Sequence, residues 1–280
     1  MKKILGILGG MGPEATAFFF KAVIARTAAS VDQEHIRTLI WSDPTIPPRT
    51  DAILGTGPSP LPPLLSGVRV LEKGGAGLLV MPCITAHYWA DEIRKAARVP
   101  FVSLLDETLA FVRKSLPGVR TIGLVASSGT VASGLWAVTF AKAGIGVIAP
   151  RPSEQARVMD AISGPGGIKS GAASGRPRTT IVGMARRLVS RGADAIVAGC
   201  TEVPLVLRPD DLAVPLIEPM DIGARACVRK AGYGLKEELR PFGTSRPREA
   251  DHEKNPSDHP SRPRRSGSRG RPGRLQGRRG

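Results

Sequence analysis

The chain has 280 residues, 41% of them hydrophobic, which is enough apolar content for one large or two ordinary domains. Three cysteines give no disulfide framework, and no uninterrupted apolar run approaches the roughly 20 residues that span a bilayer, so we expect a cytoplasmic protein without a membrane segment. The net charge of +16 suggests a nucleic-acid-binding protein until it is mapped along the chain.

Much of this charge lies near the C-terminus. From Arg262 onward there are eight arginines and no Asp or Glu, interleaved with Pro, Gly and Ser. Such a stretch cannot build a core, so residues 236–280 are predicted to be a disordered basic tail. The arginine-rich part has no aromatic residue to stack on bases, and we therefore expect no specific nucleic-acid binding.

The chain opens with a predicted strand, a glycine turn and a helix, in that order. The strand spans residues 3–8 and the turn residues 9–12, and Pro13 suits the first turn of a helix because its missing N–H would be unpaired there anyway. This order begins a parallel α/β sheet. The backbone amides of the turn are well placed to hold a carboxylate at the helix N-terminus.

The same turn also fits the glycine fingerprint of dinucleotide sites, with Gly10, Gly12 and Ala15. That fingerprint expects an acidic residue about 20 residues further on, at the end of the second strand. The second predicted strand, residues 38–41, leads to Asp43, which lies too far along the chain. We therefore disfavour a nicotinamide or flavin site and predict that the protein needs no cofactor.

A proline-stiffened loop, residues 42–50, leaves the second strand. Loops at the carboxyl ends of parallel strands are where open α/β sheets bind ligands. Arg49 on this loop can grip a carboxylate through its bidentate fork. The alternative, from the residues alone, is an exposed loop arginine without a ligand.

Two cysteines organise the rest of the chain. Cys83 and Cys200 each stand where an apolar run ends, and they are 117 positions apart. Gly6 and Gly123, in two similar predicted strands, share that offset, which slips to 115 after the cysteines. The repeat implies two similar α/β lobes, each with one cysteine at the same place on its sheet. A pseudo-two-fold axis would bring both cysteines to the cleft between the lobes.

Two thiols on opposite faces of a carbon acid can invert it. One removes a proton as thiolate and the other returns a proton as thiol, and a helix N-terminus favours the thiolate. Thr85 and Thr201 follow the cysteines closely, so their hydroxyls can bind a substrate or orient the thiols. A metal site is disfavoured because Cys83 has only His87 nearby, and Cys227 is predicted to be a core thiol.

At this point several motifs together resemble the cofactor-independent aspartate/glutamate racemase family. They are residues 6–16 (GILGGMGPEAT), 46–50 (IPPRT), 82–87 (PCITAH) and 199–202 (GCTE). The resemblance covers roughly residues 3–235 and implies two Rossmann-like lobes with the active site between them, a homodimer, and α-proton exchange on an acidic amino acid. It also implies that Cys83 and Cys200 are the two acid/base residues.

The resemblance further implies a set of substrate-binding residues. Arg49 matches the family's carboxylate-binding arginine, Lys169 a substrate-binding lysine, and Thr130 a binding threonine in the second lobe's glycine turn. The complete set of predicted substrate-binding residues is Met11, Arg49, Thr50, Thr85, Thr130, Lys169, Thr201 and Glu202. Glycines on both sides of Lys169 predict a mobile flap.

One position departs from the family pattern. Ile84 stands where the family usually has asparagine, next to the first catalytic cysteine. Isoleucine can neither donate nor accept a hydrogen bond, and losing such a bond to a charged group costs about 1.5–3 kcal/mol of binding. We therefore interpret Ile84 as a residue that alters specificity, while both thiols and both threonines remain in place.

The sequence thus predicts an isomerase that racemises aspartate, with glutamate as the second choice, and binds neither metal nor cofactor. Its predicted domains are a first lobe over residues 1–115, a second over 116–215, and a segment over 216–235 that packs back onto the first. Two rivals stay open. One is a related cysteine-pair isomerase of the maleate isomerase or hydantoin racemase type, and the other is a non-catalytic protein that binds an acidic ligand.

Overall fold

The computed structural model describes residues 1–236, so the tail predicted for residues 236–280 lies outside the described residues except for Lys236. The described residues fall in one compact unit. The first half of this unit contains four strands and five α-helices: β1 (Leu5–Gly9), α1 (Pro13–Arg26), β2 (Thr38–Ser42), α2 (Arg49–Ile53), α3 (Leu61–Lys73), β3 (Leu78–Val80), α4 (Ala90–Ala96), β4 (Phe101–Val102) and α5 (Leu104–Ser115).

The second half repeats this alternation of strands and helices. It contains β5 (Thr121–Val125), α6 (Ser128–Ala132), α7 (Leu135–Ala141), β6 (Gly146–Ile148), α8 (Pro152–Ser163), α9 (Gly175–Ser190), β7 (Ala195–Ala198), β8 (Leu216–Ile217) and α10 (Pro219–Lys230). Short 3₁₀ turns lie between these elements, at Asp32–Glu34, Thr85–Trp89, Ile168–Ser170, Val203–Leu205 and Pro209–Asp211. The segment after Cys83 thus forms a 3₁₀ turn that leads directly into α4.

Each half forms its own four-stranded parallel sheet, and the two sheets have the same topology. The strand orders are β2-β1-β3-β4 and β6-β5-β7-β8. In the first sheet Leu5 lies opposite Leu78, and in the second Ile122 lies opposite Ala195, so both partners are displaced by the same 117 positions. The predicted fold class, two similar α/β lobes with parallel sheets, is confirmed.

Packing around two equivalent glycines shows how closely the lobes match. A Cβ on Gly6 would lie 2.8–3.4 Å from side-chain atoms of three residues, and a Cβ on Gly123 would lie 2.5–3.0 Å from three others. These neighbours are equivalent at the same offset: Leu79, Ala76 and Leu71 in the first lobe, and Ile196, Ala193 and Leu188 in the second. Both central strands therefore need glycine where a helix crosses the sheet.

The C-terminal helix returns to the first lobe. α10 packs against α1 and α5, and Arg26 on α1 forms a buried ion pair of 2.6 Å with Asp221 on α10. However, β8 pairs with β7, since Leu216 lies opposite Ile196, so residues 216–217 belong to the second sheet. The predicted return at residue 216 therefore begins instead at Pro219, after the sheet hydrogen bonds end.

The two lobes share a continuous apolar core. Leu5 and Phe19 of the first lobe belong to the same buried cluster as Leu124, Trp136 and Phe140 of the second. The rings of Trp136 and Phe140 stack with centroids 5.5 Å apart. Burial of this shared surface fixes the relative position of the two sheets, and hence of the strand ends at which the site is built. Among the described residues, no helix is both long and apolar enough to cross a membrane.

Candidate active site

A cavity of about 540 Å³ lies at the carboxyl ends of the central strands of both sheets. In α/β folds this edge collects the loops that follow the strands, which is why it commonly carries the ligand site. The cavity lining includes Met11, Gly12, Arg49, Thr50, Cys83, Ile84, Thr85, Ser127, Met159, Ile162, Lys169, Cys200, Thr201 and Glu202. All but Thr130 of the predicted site residues are among them.

Both cysteines reach this cavity from equivalent strand ends. Cys83 follows β3 and Cys200 follows β7, and the two strands occupy the same place in their sheets. Both thiols are free, and their residues are only 5% and 6% exposed. Two nearly buried thiols therefore border one cavity, where each can act as an acid or a base towards a bound molecule.

The surroundings of Cys200 keep its thiol protonated. Its Sγ donates a hydrogen bond of 2.8 Å to Oε2 of Glu202, which also accepts one of 3.1 Å from the Thr201 hydroxyl. Burial raises the pKa of Cys200 well above its usual value, and the Glu202 charge raises it further, while Lys169 only partly opposes this. At neutral pH Cys200 is a thiol that can act as an acid.

Lys169 brings a positive charge to the same corner of the cavity. Its Nζ lies 3.3 Å from Oε1 of Glu202. Burial works to lower the pKa of Lys169, but the negative charge of Glu202 is the largest of the influences that outweigh it, so the pKa is raised and the ammonium persists. The short 3₁₀ turn Ile168–Ser170 carries this side chain, with the buried Ile168 as its anchor.

A cluster of three buried hydroxyls joins the lobes beside Cys83. Thr85 Oγ1 lies 2.8 Å from Thr130 Oγ1 and 3.2 Å from Ser127 Oγ, and the latter two are 3.1 Å apart. Thr130 is fully buried and does not line the cavity, so its predicted contact with substrate is corrected to a contact with Thr85. Ser127 does line the cavity, although the sequence analysis did not select it.

His87 has a structural place behind Cys83 rather than a place in the cavity. Its Nδ1 lies 2.9 Å from the Cys83 carbonyl oxygen, and its Nε2 accepts the N–H of Leu104 at 3.0 Å. Burial lowers the pKa of His87 to about 4, with the Cys83 carbonyl and the charges of Arg94 and Asp106 as smaller influences. The neutral ring with a proton on Nδ1 therefore ties the Cys83 loop to the start of α5.

Arg49 is held at the cavity wall by backbone oxygens. Its Nη1 donates to the carbonyls of Ile46 and Pro47 at 3.0 and 2.9 Å, and its Nη2 donates to that of Met11 at 3.2 Å. Its buried Nε has no hydrogen-bond partner among the described residues. The guanidinium is thus fixed at the cavity wall with one N–H that makes no hydrogen bond within residues 1–236. Thr50, the next residue, packs against the backbone of Gly129 in the second lobe.

The two cysteines differ in the residues that follow them. At the offset of 117, Ile84 is equivalent to Thr201, and Thr85 is equivalent to Glu202. The second residue after each cysteine points towards the other lobe. Thr85 of the first lobe hydrogen-bonds to Ser127 of the second. Glu202 of the second lobe lies beside Gly12 of the first, since a Cβ on Gly12 would lie 3.9 Å from Oε1 of Glu202. The backbones of the two lobes are therefore similar around the cysteines, but the side chains differ. Cys83 is followed by the apolar Ile84 and the hydroxyl of Thr85, whereas Cys200 has the carboxylate of Glu202 beside it.

One wall of the cavity consists of residues that the sequence did not indicate. Met159 and Ile162 of α8 line it, about one helical turn apart, and Ile162 is fully buried. Their spacing is that of an ordinary apolar helix face, so only the lobe repeat, which places α8 beside the second sheet, could have indicated them. Ile84, 2% exposed, adds another apolar surface, as its type predicts.

Two further residues considered in the sequence, Asp43 and Cys227, have structural roles. Asp43 accepts hydrogen bonds from the backbone N–H and hydroxyl of Thr45 at 2.9 and 2.6 Å, which makes it the cap of its own turn. Cys227 is fully buried in the core, as predicted, and burial raises the pKa of its thiol. Among the described residues, no group of three His, Cys, Asp or Glu is placed to hold a metal ion.

Comparison with known proteins places the chain in a class of enzymes. The family model for Asp/Glu/hydantoin racemases matches residues 8–227. Over 235 residues the chain is 27% identical to the broad-specificity amino-acid racemase RacX of Bacillus subtilis (strain 168), covering 81% of this chain and 96% of RacX.

Solved structures agree. Picrophilus torridus aspartate racemase superimposes with a TM-score of 0.73 at 30% identity, covering 84% of this chain and 96% of that one. Glutamate racemase from Francisella tularensis subsp. tularensis SCHU S4 shares the fold, with a TM-score of 0.60 at 16% identity over 82% and 80% of the two chains. The protein belongs to the Asp/Glu/hydantoin racemase family. It is an isomerase of the amino-acid racemase class, and the type independent of pyridoxal phosphate fits its aspartate racemase neighbour.

Proposed function

We propose that this protein racemises an amino acid without a cofactor, with Cys83 and Cys200 exchanging the α-proton on opposite faces of the substrate. The observation that carries the proposal is the equivalent placement of two free thiols, at the ends of β3 and β7, on one cavity. The two thiols also differ in their surroundings, because Cys200 donates a hydrogen bond to the Glu202 carboxylate whereas Thr85 holds the equivalent position beside Cys83.

The cavity offers groups for the charged parts of the substrate. The free Nε edge of Arg49 is suited to a carboxylate, and the raised pKa of Lys169 keeps a second cation nearby. Thr85 and Thr201 also line the cavity, which supports their assignment to orient the substrate beside the thiols. Met11, Thr50 and Glu202 complete the predicted set, with the backbone of Met11 holding Arg49 in position.

The finer part of the proposal is an acidic substrate, aspartate first and glutamate second, because two cations border the cavity. Homodimer formation and a cytoplasmic location belong to the same proposal, the latter because reduced thiols persist there. No specific nucleic acid is expected as a partner. Light scattering of the purified protein tests the dimer, and a panel of amino acids tests the substrate.

Deuterium incorporation from D₂O into the α-position of L- and D-aspartate tests the chemistry. The wild type should racemise with exchange, whereas Cys83→Ala and Cys200→Ala should each lose racemisation by at least about 100-fold, the usual scale of acid–base catalysis. Cys227→Ala is the matched control, since it removes a thiol from the core and not from the cavity. Full racemisation by Cys200→Ala would refute the two-thiol mechanism, and no exchange on any amino acid would refute the activity.

The apolar side chain of Ile84 is the observation that favours two rival functions. Its apolar side chain lines the cavity beside Cys83, where it offers no polar contact to an acidic substrate. A related cysteine-pair isomerase would act on maleate or a hydantoin in the same assay and leave aspartate unchanged. A binding protein without turnover would be stabilised against heat by aspartate while showing no deuterium exchange.

A further inference from the structure

The carboxylate of Glu202 is bound directly to one of the two thiols. Glu202 is 4% exposed, and its Oε2 accepts hydrogen bonds from Cys200 Sγ at 2.8 Å and from the Thr201 hydroxyl at 3.1 Å. Its Oε1 lies 3.3 Å from Nζ of Lys169. The titratable groups in contact with Glu202 are therefore Cys200 and Lys169, and Cys83 and Arg49 line the same cavity.

This contact makes a thiolate at Cys200 costly. Removing the Cys200 proton to solvent would leave two negative charges in hydrogen-bond contact inside a buried corner. Cys83 does not have this restriction, because Thr85 occupies the position equivalent to Glu202. The two thiols therefore cannot alternate between thiol and thiolate in the same way.

We infer that Glu202 is the proton acceptor for Cys200, so that the negative charge of the resting enzyme alternates between Glu202 and Cys83 while Cys200 remains a thiol. This inference rests on the proposed two-thiol racemisation and assigns to Glu202 a role other than substrate binding. The raised pKa of Cys200 agrees with a thiol that keeps its proton in both resting forms.

The proton balance of one turnover is closed. In one direction Cys200 passes its proton to Oε2 of Glu202 while its sulfur takes the substrate α-proton, and the α-carbanion then takes a proton from the Cys83 thiol on the opposite face. The enzyme is left with a Cys200 thiol, a protonated Glu202 and a Cys83 thiolate. The reverse direction begins from this form: the Cys83 thiolate takes the α-proton, Cys200 donates its own, and Glu202 returns a proton to Cys200.

Single-thiol variants isolate the step. In Cys83→Ala only Cys200 can exchange the α-proton with D₂O, and in Cys200→Ala only Cys83 can. Adding Glu202→Gln, which keeps an oxygen for the thiol hydrogen bond but cannot take a proton, should lower exchange in the Cys83→Ala background by at least about 100-fold. In the Cys200→Ala background the loss should be below about tenfold. Both enantiomers are assayed, and circular dichroism establishes that each variant is folded.

Glu14→Gln provides a matched control. It removes a carboxylate from the exposed first turn of α1, outside the cavity lining, and should change exchange less than about twofold in either background. Equal losses caused by Glu202→Gln in the two backgrounds would overturn the inference, because they would indicate a general effect on binding or folding. Exchange by neither thiol, in variants and wild type alike, would instead overturn the proposed function itself.

The enzyme with both thiols gives a second, independent readout. Because racemisation has an equilibrium constant of one, Glu202→Gln must lower kcat/KM equally for both enantiomers, and we expect a loss of at least about 100-fold at pH 7. The remaining activity should rise with pH as Cys200 ionises directly, whereas Glu202→Asp should keep a wild-type-like acidic limb. An unchanged pH profile in Glu202→Gln would contradict the inference even if single-thiol exchange is too slow to measure.

Discussion

Thr85 and Glu202 occupy equivalent positions in the two lobes, each two residues after a cavity cysteine. Thr85 bonds across the cleft to Ser127, whereas Glu202 bonds to its own neighbouring thiol, Cys200. The same backbone frame thus supports two different tasks. On the Cys83 side the equivalent residue joins the lobes, and on the Cys200 side it controls a proton.

The first prediction concerns the hydroxyl cluster. Thr85→Val removes one member and leaves Ser127 and Thr130 with fewer partners in a buried place, which should lower the free energy of unfolding by about 1–3 kcal/mol. It should also lower kcat/KM, because the cluster positions the loop that carries Cys83. Urea unfolding and racemisation kinetics measure the two effects.

Thr85→Ser is the control for this prediction, since it keeps the hydroxyl and loses only a methyl group. It should retain activity within about threefold and most of the stability. A Thr85→Val protein as stable as the wild type would show that the three hydroxyls do not stabilise the contact between the lobes.

The second prediction concerns specificity. Ile84→Asn introduces the amide that the family resemblance places beside the first cysteine, at a position that lines the cavity. One additional hydrogen bond to a charged carboxylate corresponds to about 1.5–3 kcal/mol, so KM for aspartate should fall about tenfold or more. Ile84→Val, which stays apolar, should leave KM within about threefold. An unchanged KM in Ile84→Asn would mean that residue 84 does not contact the substrate.

The lobe repeat was readable from the sequence because it depends on backbone geometry. Gly6 and Gly123 must be glycine where a helix crosses a strand, and Cys83 and Cys200 follow equivalent strands, so a constant offset survives in the chain. The role of Thr130 was not readable in this way. Its hydroxyl is fully buried behind Thr85, and only the three-dimensional packing distinguishes a residue behind the cavity from one that lines it.

The Cys200–Glu202 hydrogen bond could be predicted from the sequence only in part. The spacing of two residues was visible in the sequence, but which way each side chain points depends on how the loop after β7 turns into its 3₁₀ segment. Met159 and Ile162 are harder still, because an apolar residue on a helix has the same pattern whether it meets a core or a cavity.

The third prediction concerns Lys169. Lys169→Met keeps the length of the side chain and removes its charge, leaving the buried Glu202 without its ion-pair partner. If Lys169 holds a substrate carboxylate, KM for aspartate should rise more than tenfold while kcat changes less. Lys169→Arg should restore part of the binding. A change in kcat alone would assign Lys169 to control of Glu202 and Cys200 rather than to substrate binding.

The last prediction concerns stability at acidic pH. Burial holds the pKa of His87 at about 4, below its ordinary value of 6.5. The unfolded chain therefore takes a proton at a higher pH than the folded one. The stability associated with neutral His87 is fully present above about pH 6.5 and is lost as the pH falls towards 4. The difference between these pKa values corresponds to at most about 3 kcal/mol.

Glu218 titrates over an overlapping range with the opposite sign. Burial, and then the charge of Asp221, raises the pKa of Glu218 from 4.5 to about 8, so its contribution is present below about pH 4.5 and lost as the pH rises through 8. The His87 effect must therefore be measured as a difference between two proteins. Urea unfolding at several values between pH 4 and 7.5 should show that wild type loses up to about 3 kcal/mol relative to His87→Gln as the pH falls. Parallel curves for the two proteins would show that His87 does not stay neutral behind Cys83.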